Sequence, residues 1–329
     1  MVSMAASPDP DSYLSDPLGP NFQLRHLPQP DDYEGEVRAT LVRHCYPPAT
    51  TRAVLYVHGF NDYFFQRDMA TEYAAHGFRF YALDLRKYGR ALLRHQRPNN
   101  VRNLSEYFAD LDAALGVIRA EGSSTLVLSG HSTGGLIVSL YAAARPEAEL
   151  AALVLNSPFL DLFQPWYRKL VVPLVTNLGR FMPDFKLPSG LPGVYGQSLH
   201  RAYRGQWDYD LAWKPNRVFP INAGWLRAIC AGHRQVRRGL KLSMPVLVLH
   251  SDRTAAGQKW SGDFMRTDIV LNVGHIRHLS PRLGPQVTVR AIEGGIHDLF
   301  LSAPEVRAAA YQAVFGWLES VLPPAEISA

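Results

Sequence analysis

The chain has 329 residues, 47% of them hydrophobic and 19% charged, a balance that excludes a disordered or low-complexity protein. A chain this long buries roughly three quarters of its unfolded surface and needs neither disulfides nor metal to fold. Its two cysteines, Cys45 and Cys230, make no framework and suit a reducing, cytoplasmic setting. The net charge of +5, from 34 Lys and Arg against 29 Asp and Glu, is too mild to mark a nucleic-acid binder. The densest basic stretches, from Arg86-Lys87 to Arg97 and from Arg234 to Lys241, are expected on solvated faces, and no nucleic-acid-reading motif accompanies them.

Residues 1–30, punctuated by Pro8, Pro10, Pro17, Pro20, Pro28 and Pro30, are expected as a loosely ordered lead-in. They are polar and lack the apolar centre of a signal peptide. Next, Glu36 to Tyr46 alternates apolar and polar residues as a half-buried edge strand does, and Pro47-Pro48 ends it. Buried strands are expected at Ala53–Val57, Phe78–Leu83, Thr125–Leu128, Ala152–Leu155, Val246–Leu249 and Val287–Ile292. Helices are expected at about 66–76, 103–120, 133–144 and 304–321. Apolar strands separated by helices indicate an α/β protein whose parallel sheet is covered on both faces. The most apolar stretch, Leu170 to Val175, is interrupted by Pro173 and is far short of the roughly 20 residues of a membrane span. No integral membrane segment is expected.

The rhythm breaks between Phe159 and Leu242, where Trp166, Trp207, Trp213 and Trp225 lie among Pro, Gly and Tyr. A structureless loop of this size is rare. Residues 159–242 are therefore expected as a mainly helical cap inserted into a core of 31–158 and 243–329, with an ordinary second subdomain as the alternative.

Gly130-His131-Ser132-Thr133-Gly134 fits the pattern G-x-S-x-G between an apolar lead-in and the helix-like Gly135–Tyr141. A strand-to-helix turn this tight admits only glycine at 130 and 134, and its strain lifts the Ser132 hydroxyl above the sheet. The helix start beside it favours developing negative charge. A serine hydroxyl needs a base. Of 12 histidines, His297 follows the last strand through Glu293-Gly294-Gly295-Ile296, whose glycines let a loop turn back over the sheet edge. His131 is expected to be structural. His275 and His278 have H-x-x-H spacing without a third ligand signature, so no metal site is expected.

The base needs an acid to set its tautomer. Asp252 directly follows the strand Val246–Leu249, and Asp268 comes later in Thr267-Asp268-Ile269-Val270. The chain between acid and histidine must hold a loop, a helix, a turn and a strand, roughly 28–32 residues. The interval to His297 is 29 residues from Asp268 and 45 from Asp252 (297 less 268, and 297 less 252), which favours Asp268 and leaves Asp252 to cap a loop or pair with an ion. For the oxyanion, the backbone amides of Thr133 and of Phe60, in His58-Gly59-Phe60, are the expected donors.

With these residues assembled, the chain resembles the α/β-hydrolase superfamily from Glu36 to Leu322. Within it, the sequence is similar to the branch of monoacylglycerol lipases, lysophospholipases and serine aminopeptidase-like hydrolases. The matching features are His58-Gly59-Phe60, Gly130 to Gly135, Asn156-Ser157-Pro158-Phe159, Asp268-Ile269-Val270 and Gly294-Gly295-Ile296-His297-Asp298. The resemblance implies an α/β-hydrolase fold with a mostly parallel sheet and a helical cap, no cofactor, and a small-molecule acyl ester as substrate. It implies cleavage of carboxylic esters, of monoacylglycerol or lysophospholipid type, through an acyl-enzyme. Two departures stand out: the family's D-x-x-G-H-G reads Asp84-Leu85-Arg86-Lys87-Tyr88-Gly89-Arg90 here, and the acid is displaced by the loop 251–267. Serine at 132, where relatives that open epoxides or remove halogen carry aspartate, argues against those chemistries. Asp62 and Tyr63 are expected near the alcohol portion, and Phe163, Trp166, Tyr167 and Trp207 near the acyl chain. Two alternatives stay open: an aminopeptidase or amidase, with Asp208 and Asp210 pairing with a substrate amine, and a non-catalytic ligand-binding protein of the same fold. Nothing sets the oligomeric state.

Overall fold

Runs rich in valine and leucine, with tyrosine and phenylalanine among them, fit a pleated backbone buried on both faces. In the computed structural model, which describes residues 12–47, 49–162, 168–191, 193–255 and 260–324, such runs form the centre of the molecule. Strands β1 (Leu14–Ser15), β2 (Phe22–Asp32), β3 (Gly35–His44) and β4 (Arg52–Val57) lead to helix α1 (Arg67–Ala75). They are followed by β5 (Arg79–Asp84), α2 (Glu106–Ala120), β6 (Thr125–His131), α3 (Thr133–Ala144) and β7 (Ala152–Asn156). After a mixed segment come β10 (Val246–Ser251), α7 (Val273–Leu279), β11 (Val287–Ile292) and α8 (Pro304–Val321).

Among the described residues the main sheet has nine strands in the order β1-β2-β3-β5-β4-β6-β7-β10-β11. The six strands from β5 to β11 in that order are parallel, and β1, β2 and β3 join antiparallel. Side chains alternate between the faces. Ala53, Leu55 and Val57 of β4 meet Leu126 and Leu128 of β6 in one apolar cluster, with residues of α2, α3 and α7. Val54, Tyr56 and Val127 point the other way and pack with Met69 and Tyr73 of α1 and Val314 and Phe315 of α8. This is the parallel sheet with helices on both faces that the sequence predicts.

The N-terminal side differs from expectation. Residues 22–30, expected within a loose lead-in, form most of β2, which pairs with β3 from Phe22↔His44 to Gln29↔Val37. The predicted edge strand at Glu36–Tyr46 is consequently interior. Prolines hid β2, but strands near a sheet edge tolerate them because one row of N–H groups is not needed for pairing. Residues 1–11 of that lead-in lie outside the described residues.

The first basic stretch also departs from expectation. Arg86, Lys87 and Arg90 are buried. Arg86 pairs with Asp110 at 2.7 Å, Lys87 with Asp32 at 2.6 Å and Glu34 at 2.7 Å, and Arg90 with Asp16 at 2.6 Å and Asp84 at 2.8 Å. A buried cation needs such partners to offset its lost hydration. Several of these carboxylates are distant in sequence, so the stretch reads as a surface until the chain folds. Arg234, Arg237, Arg238 and Lys241 are exposed, as a solvated face requires.

Between β7 and β10 lie α4 (Arg168–Phe181), α5 (Val194–Leu199), α6 (Ala223–Arg238) and a small antiparallel pair, β8 (Lys186–Leu187) with β9 (Ile221–Asn222). Helix α6 is strongly amphipathic. Its Trp225, Leu226 and Ile229 belong to the same apolar cluster as Leu136 and Leu140 of α3, so this helix packs against α3. Among the described residues no helix is long and apolar enough to cross a membrane.

Asp16→Asn is expected to lower the unfolding free energy by about 3 kcal/mol, because it strips a buried guanidinium of one of its two carboxylates. The midpoint and slope of urea unfolding check this, and an unchanged midpoint would show that the N-terminal strands contribute nothing through Arg90.

Candidate active site

Strand β6 ends at the sheet's carboxyl edge, and the chain enters α3 one residue later. That residue, Ser132, has φ +52° and ψ −115°, a conformation costly for any side chain but glycine. Close packing imposes it. A Cβ on Gly134 would stand 2.4 Å from the carbonyl oxygens of Val57 and His58, and one on Gly130 would stand 2.8 Å from the backbone of Gly134. The Ser132 N–H donates to Asn156 O at 3.0 Å, and its carbonyl accepts from the Phe159 N–H at 2.9 Å. The bend is thus held from β4, β7 and the following loop together.

The Ser132 Oγ lies 3.1 Å from His297 Nε2, and His297 Nδ1 lies 2.9 Å from Asp268 Oδ2. All three residues are buried. A carboxylate can only accept from Nδ1, so the ring proton sits there and the Nε2 lone pair faces the serine hydroxyl. The other oxygen of Asp268 accepts from the N–H groups of Val270 and Leu271, each at 2.8 Å, which fixes the carboxylate's angle. Asp252 takes another position: its Oδ1 accepts from the Gly294 N–H at 3.0 Å and so pins the loop that carries His297.

Phe60 and Thr133 line the same cavity as Ser132. Thr133 opens α3, and the first amides of a helix have no acceptor within it. The approach to Phe60 is held by His58, whose Nδ1 donates to Gly59 O at 2.8 Å while Nε2 accepts from the Leu85 N–H at 3.2 Å. Burial pushes the His58 pKa down and keeps the ring neutral, as this donor-acceptor pairing demands. The Phe60 ring packs on Trp225 with centroids 4.6 Å apart.

Behind the histidine, Asp298 accepts from Asn156 Nδ2 at 2.7 Å, Gln66 Nε2 at 3.2 Å and the Phe300 N–H at 3.1 Å. Its own N–H donates to the Tyr195 hydroxyl at 3.1 Å. His131 donates from Nδ1 to Asn156 O at 3.2 Å, and burial lowers its pKa. Asp62, His131 and Asp298 each offer one ligand atom within 4.8 Å of the others. Both carboxylates already accept from protein donors, Asp62 from Lys214 and the Tyr63 N–H, so the group is compensated without a cation.

The cavity over Ser132 measures about 970 Å³. Phe159, Leu162, Val175, Leu187, Leu226 and Val270 make much of its wall apolar, while Asp62 and Lys214 make a polar patch. Two expected contacts are corrected. Tyr63 packs against Phe65 and Trp213, and its hydroxyl accepts from the Asp210 N–H at 2.7 Å. Trp207 donates from Nε1 to Leu301 O at 2.9 Å. Both rings belong to an aromatic cluster with Tyr209 that joins the segment to the loops after β4 and β11, and neither ring lines the cavity. Phe163, Trp166 and Tyr167 lie outside the described residues. Asp208 pairs with Arg201 at 2.9 Å and Asp210 caps the Ala212 N–H at 2.7 Å, and neither lines the cavity. Tyr195 and Lys214 do line it, and no signal in the residue pattern points to them because their segment has no periodicity to place them.

The sequence matches the family described as Serine aminopeptidase, S33, over residues 48–303. Epoxide hydrolase 4 of Mus musculus is 30% identical over 169 residues, covering 48% of this chain and 41% of that protein. The match therefore spans less than half of that relative's length. Among solved structures, the monoacylglycerol lipase of Paleococcus ferrophilus superposes with a TM-score of 0.67 and 21% identity, over 87% of this chain and 100% of its own. A soluble variant of the monoglyceride lipase of Saccharomyces cerevisiae, in complex with a substrate analogue, gives a TM-score of 0.67 and 18% identity, over 90% and 96%. The shared architecture is the α/β-hydrolase fold.

Gly134→Ala is expected to destabilise the protein by about 3 kcal/mol or more, since the opposing atoms are backbone carbonyls that cannot rotate away. Chemical unfolding measures it. Burial also holds down the pKa of His26, His44, His58, His131, His233 and His250, to about 4 for His26 and His233. The unfolded chain takes up protons on these rings below about pH 6.5, where the native state resists them, so stability is expected to fall as pH drops from about 6.5 toward 4. Thermal melts across that window should show a steadily falling Tm.

Proposed function

The chain belongs to the Serine aminopeptidase, S33 family, and from that membership we propose that it is a serine hydrolase cleaving carboxylic esters of apolar acids through an acyl-enzyme. The observation that carries the reading is the hydrogen-bonded line Asp268–His297–Ser132 at the floor of a largely apolar cavity. Ser132 Oγ attacks the ester carbonyl as His297 Nε2 takes its proton, and Asp268 stabilises the imidazolium that results. The amides of Phe60 and Thr133 meet the oxyanion. His297 then passes its proton to the leaving alkoxide. Water, deprotonated by the same nitrogen, releases the acid and restores the serine.

Residues 159–242 act as a cap over a core of 31–158 and 243–329, shielding the acyl-enzyme and receiving the acyl chain. The lipase-type structural relatives support an ester of monoacylglycerol or lysophospholipid kind. Two free cysteines fit a cytoplasmic setting. The partial likeness to an epoxide hydrolase does not extend this chemistry: epoxide opening through an enzyme ester needs a carboxylate nucleophile, and a serine would be left as a stable ether. Amine recognition is disfavoured because Asp208 and Asp210 do not line the cavity and are engaged elsewhere, and Asp62 is already paired.

A fluorophosphonate probe is expected to label Ser132, with Ser132→Ala as the unlabelled control; an unlabelled, folded wild type would overturn the reading. Asp268→Asn is expected to lower kcat on p-nitrophenyl esters by on the order of 10⁴-fold, while Asp252→Asn, which loosens only a loop hydrogen bond, costs far less. A higher kcat/KM on aminoacyl anilides than on p-nitrophenyl esters of any chain length would instead favour a peptidase.

A further inference from the structure

Asn61 directly follows Phe60 and holds φ +54°, a left-handed backbone that glycine adopts freely and asparagine tolerates. Where glycine would do, this chain places a buried amide and uses both its ends. Nδ2 donates to Pro215 O at 3.1 Å, and Oδ1 accepts from the Phe219 N–H at 3.1 Å. A carbonyl can only accept and an N–H can only donate, so the amide has one orientation. Both partners belong to the segment between β7 and β10, 154 and 158 residues along the chain. The neighbours of Asn61 are held from the same stretch: the Phe60 ring lies 4.6 Å from that of Trp225, and Asp62 accepts from Lys214 at 2.7 Å. Three consecutive residues, 60 to 62, are thus tied to residues 214–225.

The chain before Phe60 is fixed by the core instead. A Cβ on Gly59 would stand 3.2 Å from Ser132 Cβ and from His131 Cδ2, so the backbone there lies against the bend. His58 bridges Gly59 O and the Leu85 N–H. The Phe60 amide therefore stands between an anchor on the sheet and an anchor in the segment over the cavity. An oxyanion donor acts by being aimed before charge develops, and a donor that must turn into place loses that advantage. Freeing Asn61 leaves Ser132, His297 and Asp268 in place, because none of their hydrogen bonds among the described residues involves 214–225.

We propose that Asn61 is a positioning residue: through it, the segment over the cavity aims the Phe60 amide at the oxyanion. This rests on the serine acyl-transfer reading above, with the Phe60 amide as one oxyanion donor. Hydrolysis then requires that segment to be seated on the core. Asn61 lines the cavity, but both ends of its amide are engaged by backbone, so it acts through the direction of one N–H. The ground-state carbonyl draws less on that donor than the oxyanion does, so the loss falls on the chemical steps and not on ester binding. Acylation and deacylation both pass through an oxyanion, so both slow together and KM holds.

Asn61→Gly keeps the backbone conformation and removes both bonds. It is expected to lower kcat on a p-nitrophenyl ester at least tenfold, short of the roughly 10²–10³-fold that losing a donor outright costs. KM is expected to stay within about twofold of wild type. A trifluoromethyl ketone with the same acyl chain, whose serine adduct carries an oxyanion, is expected to bind more weakly by the factor lost in kcat/KM. Rates are counted per serine labelled by fluorophosphonate, so a merely destabilised variant scores as wild type. Wild-type kcat in the folded glycine variant, a loss confined to KM, or an unchanged ketone affinity would each overturn the proposal. If Asn61→Gly does not fold, Asn61→Ser, neutral and too short to span both partners, is read in the same way. If wild type neither reacts with fluorophosphonate nor turns over esters, the serine reading itself falls, which separates the two outcomes.

Discussion

A serine at φ +52° and ψ −115° persists only where its surroundings over-determine it, and around Ser132 three elements do so. The carbonyls at the end of β4 press on Gly134, the carbonyl of Asn156 in β7 holds the Ser132 amide, and Phe159 holds its carbonyl. Relaxing the bend would require these parallel strands to separate. The strain is local, but its support is the sheet itself. That is why the hydroxyl has a fixed height above the sheet while the histidine that meets it arrives from a loop 165 residues away.

The same strands set the partners. His297 is delivered by the loop after β11, Asp268 by the loop after β10, and the two carboxylates in that region divide the labour. Asp268 is fully buried and fixes the imidazole. Asp252 is partly exposed and fixes the glycine turn three residues before His297. One orients the ring directly, and the other orients the backbone that carries it.

Buried charge is the second organising theme. Arg86, Lys87, Arg90 and Lys214 each lie out of water against a carboxylate. Such pairs contribute little net stability relative to apolar packing, but a misplaced partner is heavily penalised, so they favour one arrangement of the segments they join. Arg90 ties the N-terminal strands to the loop after β5 through Asp16 and Asp84. Lys214 ties the segment over the cavity to the loop that carries Phe60.

Much of this was legible in the residues, for reasons of periodicity and sterics. Apolar runs alternating with helical patterns determine a two-faced parallel sheet. Glycines at 130 and 134 around a serine determine a bend no other residues permit, and the 29-residue interval from Asp268 to His297 matches the elements that must fit between them. These are local signals, carried by neighbours in the chain. What only the tertiary structure decided depends on residues far apart in sequence: that Phe22–Asp32 pairs despite its prolines, that Arg86, Lys87 and Arg90 are buried, that Tyr63 and Trp207 turn into an aromatic seam instead of the cavity, and that Lys214 meets Asp62 across 152 residues. A charge or an aromatic ring is ambiguous in a sequence because its energy depends on what surrounds it, and the surroundings exist only once the chain has folded.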